Sequence, residues 1–384
     1  MDFDLPEETR ALQDMVRDFA AAEITPYAAE WSEKEEFPAH IFTKLGELGL
    51  MGMLVPEEYG GAGSDLVSYV AVMEELGAAD QSVASSWNAH STIATLPLLA
   101  YGTEEQKHRW LAPLARGEAI GAFGLTEPEA GSDASGITTT ARRADGGWVI
   151  NGAKTFITNA GTDISQGVTL LAVTGRNEDG RKRFATFYVP TGTPGYTRGP
   201  KFRKLGWHAM DTRELFFDDC RIPDDHLIGD EGGGLRQFLS VLDKGRISVA
   251  ALGLSLAGAA LALAVRHATE RHQFGRPLAE FQAVAHKIAD IGTELQAARW
   301  MVYRAAWLAD QGRPHATEAA MAKLYASEAA NRAASQAVQI HGGYGYVRES
   351  PISRFYADAK ILEIGEGTNE IQRNVIARAL TGKG

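Results

Sequence analysis

A single cysteine, Cys220, stands in a chain of 384 residues, which excludes an intrachain disulfide and any cysteine-rich zinc cluster. Basic residues are outnumbered: 38 Lys and Arg against 49 Asp and Glu leave a formal net charge of −11. So acidic a surface argues against a polyphosphate such as DNA or RNA as the main partner. Also missing are a G-x-x-x-x-G-K-[ST] phosphate loop, an H-E-x-x-H pair and a G-x-S-x-G elbow. Nucleotide hydrolysis, zinc proteolysis and serine esterase chemistry therefore lose support. None of the ten histidines pairs at helical i, i+4 spacing, and no metal is expected. The opening Met1-Asp2-Phe3-Asp4-Leu5-Pro6 lacks the basic and apolar stretches of a secretory leader and is too acidic for a transit peptide. With the scarcity of cysteine, this makes a cytoplasmic location the expectation.

What is present is the mixture of an ordinary globular protein, 45% hydrophobic and 23% charged, with enough length for two or three domains. One run has the length of a membrane span: nineteen residues from Ile247 to Val265 carry no charge. Seven of them are Ala, two Gly and two Ser, so the gain on transfer to lipid is far weaker than for a Leu/Ile/Phe run. The expectation is a buried helix with close small-residue contacts, and no transmembrane segment.

The hydrophobic period changes twice along the chain. In the first third, Pro6-Glu7-Glu8 opens a helix, Leu12, Met15, Val16 and Phe19 follow at helical spacing, and Pro26 closes it. Thr103-Glu104-Glu105-Gln106 has the spacing of a capping box. From about Gly121 the period becomes two. Trp148 to Ile157 reads as a strand, an Asn151-Gly152 turn and a second strand, with further strands at Val168 to Thr174, Phe184 to Val189 and Glu214 to Phe217. Strands in one block argue against a doubly wound nucleotide-binding sheet. After the glycines of 229–234 the helical period returns. Phe281, Val284, Ile288, Ile291, Leu295, Ala298, Val302 and Ala305 hold one apolar stripe. The expected fold is α+β: an all-α domain over 1–120, a central antiparallel, barrel-like β domain over 121–229, and a C-terminal four-helix bundle over 230–384.

Two glycine-rich segments carry polar groups suited to chemistry. Phe123-Gly124-Leu125-Thr126-Glu127-Pro128-Glu129-Ala130-Gly131-Ser132-Asp133 opens the β domain, and Gly131-Ser132 can offer backbone N–H groups and a hydroxyl to a phosphate. A plain inter-domain turn satisfies the same sequence, since Ala-Gly-Ser-Asp also occurs at 62–65. In Ile364-Gly365-Glu366-Gly367-Thr368-Asn369-Glu370, glycines flank Glu366 and Thr368 can cap the next helix. That places a carboxylate on a sharp turn, where it is either a rigid base or part of an exposed acidic loop.

Taken in order, Thr126-Glu127-Pro128 with Ala130-Gly131-Ser132-Asp133, Lys154-Thr155-Phe156-Ile157-Thr158-Asn159, Arg271-His272-Gln273-Phe274-Gly275, Gln339-Ile340-His341-Gly342-Gly343 and Glu366-Gly367-Thr368 resemble the acyl-CoA dehydrogenase family over essentially the whole chain. The resemblance implies FAD, bound between the β domain and the bundle. Phe123, Leu125, Thr126, Gly131, Ser132, Phe156 and Thr158 would line it from the β domain, with Thr368 and Glu370 from the late loop. Arg271, Gln273, Phe274, Gln282, Gln339 and Gly343 would reach the FAD of a neighbouring subunit in a homotetramer, a dimer of dimers. An acyl-CoA thioester would meet Ser132, Asp243, Arg246 and Gly367. Glu366 would take the α-proton while hydride leaves the β-carbon, giving a trans-2-enoyl thioester, with electron-transfer flavoprotein as acceptor.

Some family members carry the base on the helix that holds Gly245. Here that position has no side chain, which leaves Glu366 as the matched candidate. The chain departs from the common pattern at Gly365, where many members have Tyr, and at Phe156, where many have Trp. The smaller Gly365 leaves room for branched acyl groups. Arg198, Lys201, Arg203 and Lys204 form a basic run that would either protect a strand edge or make a local positive site within the acidic surface. An acyl-CoA oxidase, a dehydrogenase of carrier-protein-bound acyl groups, and a non-catalytic scaffold remain open on the same fold.

Overall fold

A computed structural model describes residues 4–382, so Met1–Phe3 of the acidic opening segment lie outside the description. Eight helices come first: α1 (Glu7–Glu23), α2 (Ala28–Lys34), α3 (Ala39–Glu47), α4 (Leu66–Ala79), α5 (Gln81–Ala89), α6 (Leu96–Tyr101), α7 (Glu104–Gln106) and α8 (Ala112–Ala115). The sequence signals act as expected. Glu7 and Glu8 occupy the first turn of α1, and Thr103 and Gln106 form the reciprocal capping box. Asp65 accepts from Ser68 N at 2.7 Å and Asp80 from Val83 N at 2.9 Å, capping α4 and α5 and fixing the corner between them.

The central sheet contains β1 (Ile120–Gly124), β2 (Thr140–Ala144), β3 (Gly147–Thr158), β4 (Ser165–Arg176), β5 (Lys182–Pro190), β6 (Tyr196–Arg198), β7 (Thr212–Pro223) and β8 (Leu227–Ile228). The pairing order is β6-β7-β3-β2-β4-β5-β8, with β1 also on β4. Most pairs are antiparallel, but β1 and β2 run parallel to β4, so the sheet is mixed. The expected Asn151-Gly152 turn is not a turn. β3 runs straight through it, and the register against β7 slips between Ile150 and Gly152. Gly152, at φ 144, is pressed so close to Thr139 that a Cβ would fall 2.7 Å from its Cα. The glycine serves a bulge there, a role the same dipeptide plays as readily as a hairpin.

The C-terminal part comprises α9 (Gly234–Glu270), a small hairpin of β9 (His272–Gln273) and β10 (Arg276–Pro277), then α10 (Gln282–Asp310), α11 (Ala316–His341), α12 (Pro351–Ala359) and α13 (Asn369–Thr381). The uncharged run lies in α9 and is buried against α4, α10 and α11. Its small residues are what let the helices approach. A Cβ on Gly253 would fall 2.9 Å from Ala326 O, and one on Gly77 of α4 would fall 2.1 Å from Ser255 Oγ. The stripe of α10 also faces inward, with Ile291, Leu295, Ala298, Val302 and Ala305 buried. One continuous apolar core joins Val16 and Trp87 of the N-terminal helices to Leu254 and Ala330 of the bundle, whereas the sheet keeps a core of its own around Trp148 and Phe187.

Candidate active site

After α12 and a 3₁₀ turn at Lys360–Glu363, the chain reverses into α13 through two residues in left-handed conformation, Glu366 at φ 50 and Gly367 at φ 94. Thr368 caps α13, accepting from Ile371 N at 3.3 Å. A Cβ at 367 would lie 2.8 Å from Gln372 Nε2, which instead donates to Gly367 O at 2.9 Å. The turn points the Glu366 side chain inward rather than into an exposed acidic loop. Its Oε1 accepts from Asn88 Nδ2 at 3.2 Å, and its Oε2 is buried with no hydrogen-bond partner.

Gly245 of α9 makes that placement possible, because a Cβ there would stand 2.3 Å from Glu366 Oε2. Burial drives the Glu366 pKa up to about 8, against the opposing pull of the Lys323 charge, the Asn88 hydrogen bond and the Arg246 charge. A rigidly held carboxylate with one free oxygen, titrating near neutrality, has the attributes of a general base. At Gly365 an added Cβ would meet only Ile361 O, at 3.5 Å.

Cations from two helices surround the carboxylate. Arg246 Nη1 donates to Asp243 Oδ1 at 2.5 Å, and its Nε is buried without a partner. Lys323 is fully buried and donates to Asn369 Oδ1 at 3.0 Å. Burial lowers its pKa to about 8, while the charges of Glu366, Glu363 and Glu370 oppose the shift. Asn88 and Lys323 carry no signal in the sequence because each lies outside the glycine-rich segments and takes its meaning from a partner on another helix.

On the sheet, the two motif segments are locked together. Thr155 N donates to Thr126 O at 2.9 Å. Buried Lys154 donates to Glu127 Oε1 at 2.8 Å and to Leu125 O at 3.0 Å. Glu127 also accepts from Thr138 N at 2.6 Å and Thr139 N at 2.9 Å. Burial alone would raise its pKa, but the Lys154 charge and these donors bring it down to about 2. The ion pair fixes Leu125 and Thr126, both half-buried, beside β3. There a second register slip, between Lys154 and Ile157, leaves Phe156 at φ 59 with its ring 65% exposed, resting on Phe202 at 5.3 Å. Thr158 is half-buried, and Gly131 and Ser132 are exposed with open space around Gly131. The ring of Phe123 belongs to the core, stacked on Phe238 at 4.3 Å.

A third group lies elsewhere. Arg271 follows the end of α9, about 39 Å along the axis from Gly245 at 1.5 Å per residue. Arg271, Gln273, Phe274, Gln282, Gln339 and Gly343 are all exposed there, and Phe274 is 93% exposed. The Arg271 guanidinium lies over the ring of Tyr344 at 5.8 Å, next to Gly343. Three residues of the basic run meet backbone carbonyls. β6 is an edge strand, but Lys201 donates to Glu35 O and His208 O, Lys204 to Met210 O, and Arg198 to Ala160 O. Lys201 and Lys204 thereby brace the loop between β6 and β7 through its own His208 and Met210 carbonyls, while Lys201 and Arg198 tie it to Glu35 and Ala160 outside the loop.

Comparison with known proteins covers the chain nearly end to end. The acyl-CoA dehydrogenase N-terminal, middle and C-terminal domain families match residues 6–118, 122–220 and 232–381. The chain is 50% identical over 380 residues to "Probable acyl-CoA dehydrogenase YngJ" of Bacillus subtilis, covering 99% of this chain and 100% of that protein. Among solved structures, butyryl-CoA dehydrogenase from Megasphaera elsdenii superposes with a TM-score of 0.96 at 41% identity, covering 99% and 100% of the two chains. A chain from a structure described as an electron transferring flavoprotein of Acidaminococcus fermentans gives 0.95 at 41% identity, covering 99% of each.

Proposed function

The chain belongs to the acyl-CoA dehydrogenase family of oxidoreductases, and from that membership we propose that it oxidises a short-chain acyl-CoA across its α and β carbons, with Glu366 as the base. The observation that carries the reading is the Glu366 carboxylate itself, turned inward with Oε2 buried and unpartnered against the bare Gly245. The likeness to a butyryl-CoA dehydrogenase supports a short acyl chain, and the space around Gly365 extends the range to branched ones.

The residues present fit FAD. Exposed Phe156 and half-buried Leu125 offer apolar surface to a flat ring system, and Thr126, Thr158, Gly131 and Ser132 offer hydroxyls and backbone N–H groups along its edge and phosphates. When bound, FAD supplies the acceptor for the hydride that leaves the β-carbon. Glu366 takes the α-proton on Oε2, its backbone N–H donates to the thioester oxygen as charge grows there, and the electron pair of the C–H bond becomes the trans double bond. Arg246, paired with Asp243, and Ser132 meet the CoA portion, with Gly367 keeping the turn beside the thioester open. The remote group at Arg271, Phe274 and Gln339, exposed about 39 Å along α9 from Gly245, serves a neighbouring subunit's FAD in this reading. A homotetramer follows, passing its electrons to an electron-transfer flavoprotein.

The test is anaerobic bleaching of the FAD-bound protein by butyryl-CoA and a branched short-chain acyl-CoA. Both are expected to bleach it and yield the trans-2-enoyl product. Glu366→Gln is expected to slow bleaching by about 10²- to 10⁴-fold, the usual worth of a general base. Bleaching at the native rate in that variant would overturn the assignment, and no reaction with the branched thioester would overturn the role given to Gly365.

A further inference from the structure

The hydrogen bond on Glu366 comes from a residue that is itself immobilised. Asn88 Oδ1 accepts from Tyr69 Oη at 3.0 Å, so the amide has its oxygen turned away from the carboxylate and its NH₂ toward it. Tyr69 is fully buried and stacked on Trp87, with ring centroids 4.4 Å apart and planes 12° from parallel. Trp87 Nε1 in turn donates to Leu50 O at 2.9 Å. The series Leu50, Trp87, Tyr69, Asn88 thus runs from an N-terminal loop through α5 and α4 to a carboxylate 278 residues further along the chain. Rotating the amide would set Asn88 Oδ1 against Glu366 Oε1, two acceptors face to face, and lose the bond to the carboxylate.

We infer that Asn88, oriented by Tyr69, is a positioning residue for the base: it ties down Oε1 so that Oε2 alone faces the substrate. The inference rests on Glu366 being that base. An untethered carboxylate spreads over several orientations, and rate is lost whenever the reacting oxygen points elsewhere. The donor also favours the ionised carboxylate. The charged and titratable groups facing Glu366 are Arg246 of α9, Lys323 of α11 and Tyr69 of α4. Removing the Asn88 donor leaves those in place and raises the pH at which Glu366 ionises.

The probe is an acyl-CoA with sulfur in place of its β-methylene, which can exchange its α-proton with solvent but cannot complete dehydrogenation. Exchange into D₂O is followed by mass spectrometry on the FAD-bound protein across pH. The carboxyl infrared band absent from Glu366→Gln reports the same ionisation without substrate. Asn88→Leu, which keeps the branched shape without the polar atoms, is expected to move the midpoint up by about one pH unit and to lower plateau exchange about tenfold, with half-saturation by the probe unchanged. Tyr69→Phe, which removes only a hydroxyl, is expected to shift both readouts the same way by less. Unchanged midpoint and plateau in Asn88→Leu, beside an inactive Glu366→Gln, would overturn the inference alone. Native exchange in Glu366→Gln would overturn the base assignment and the inference with it. Should Asn88→Leu fail to fold, an unshifted Tyr69→Phe midpoint is the overturning result.

Discussion

Glycine 245 decides whether the carboxylate of Glu366 has a place at all. Gly245→Ala adds one methyl group 2.3 Å from Oε2, and the flexible acid side chain yields before the helix does. Alanine also favours the helix by about 1 kcal/mol over glycine. The expected outcome is a melting temperature at or slightly above the native one with at least about a tenfold fall in kcat, checked by calorimetry and anaerobic bleaching on the same preparation. Glu366 itself was legible in the sequence as a candidate because glycines bracket it. Its burial was not, since the residues that bury it come from α4, α5, α9 and α11, and an exposed acidic loop would have had the same spelling.

Among the elements, β3 shows how a single strand can carry both structure and site. Lys154 and Phe156 have opposite environments, the first fully buried and the second exposed, because a register slip lies between Lys154 and Ile157. Lys154→Met would leave Glu127 buried with its charge uncompensated. That loss is expected to cost about 3–5 kcal/mol, read as a lower urea midpoint, and to loosen the segment that holds Leu125 and Thr126. Adding Glu127→Gln to Lys154→Met is expected to recover part of the loss, since the unpaired charge is then gone. Helix α9 offers the complementary case. Its alanines and glycines were read correctly as close-contact residues, because small side chains mean the same thing wherever a helix is buried.

Across the whole molecule, the N-terminal helices and the bundle share one core, and the sheet is set against it with a core of its own. The group at the far end of α9 stays exposed despite contacts such as Phe274 on Phe281 at 6.1 Å. Phe274, at φ 52 in the turn between β9 and β10, is at 93% the most exposed large hydrophobic side chain among the described residues. In sedimentation the protein is expected to run as a tetramer, and Phe274→Ala to weaken assembly and lose FAD on dilution; a monomeric native protein that keeps its FAD would refute this. The sequence by itself determined the succession of helix, sheet and helix, the caps and the buried uncharged helix, because periodicity and capping are local properties, while Glu366 was singled out by the family resemblance of its segment. Only the tertiary structure decided that Asn151-Gly152 is a bulge, that Lys201 and Lys204 brace a loop, and that Asn88, Tyr69, Lys323 and Gly245 converge on Glu366. Each of those depends on what a distant segment brings within hydrogen-bond or van der Waals reach, and spacing along one chain does not encode that distance.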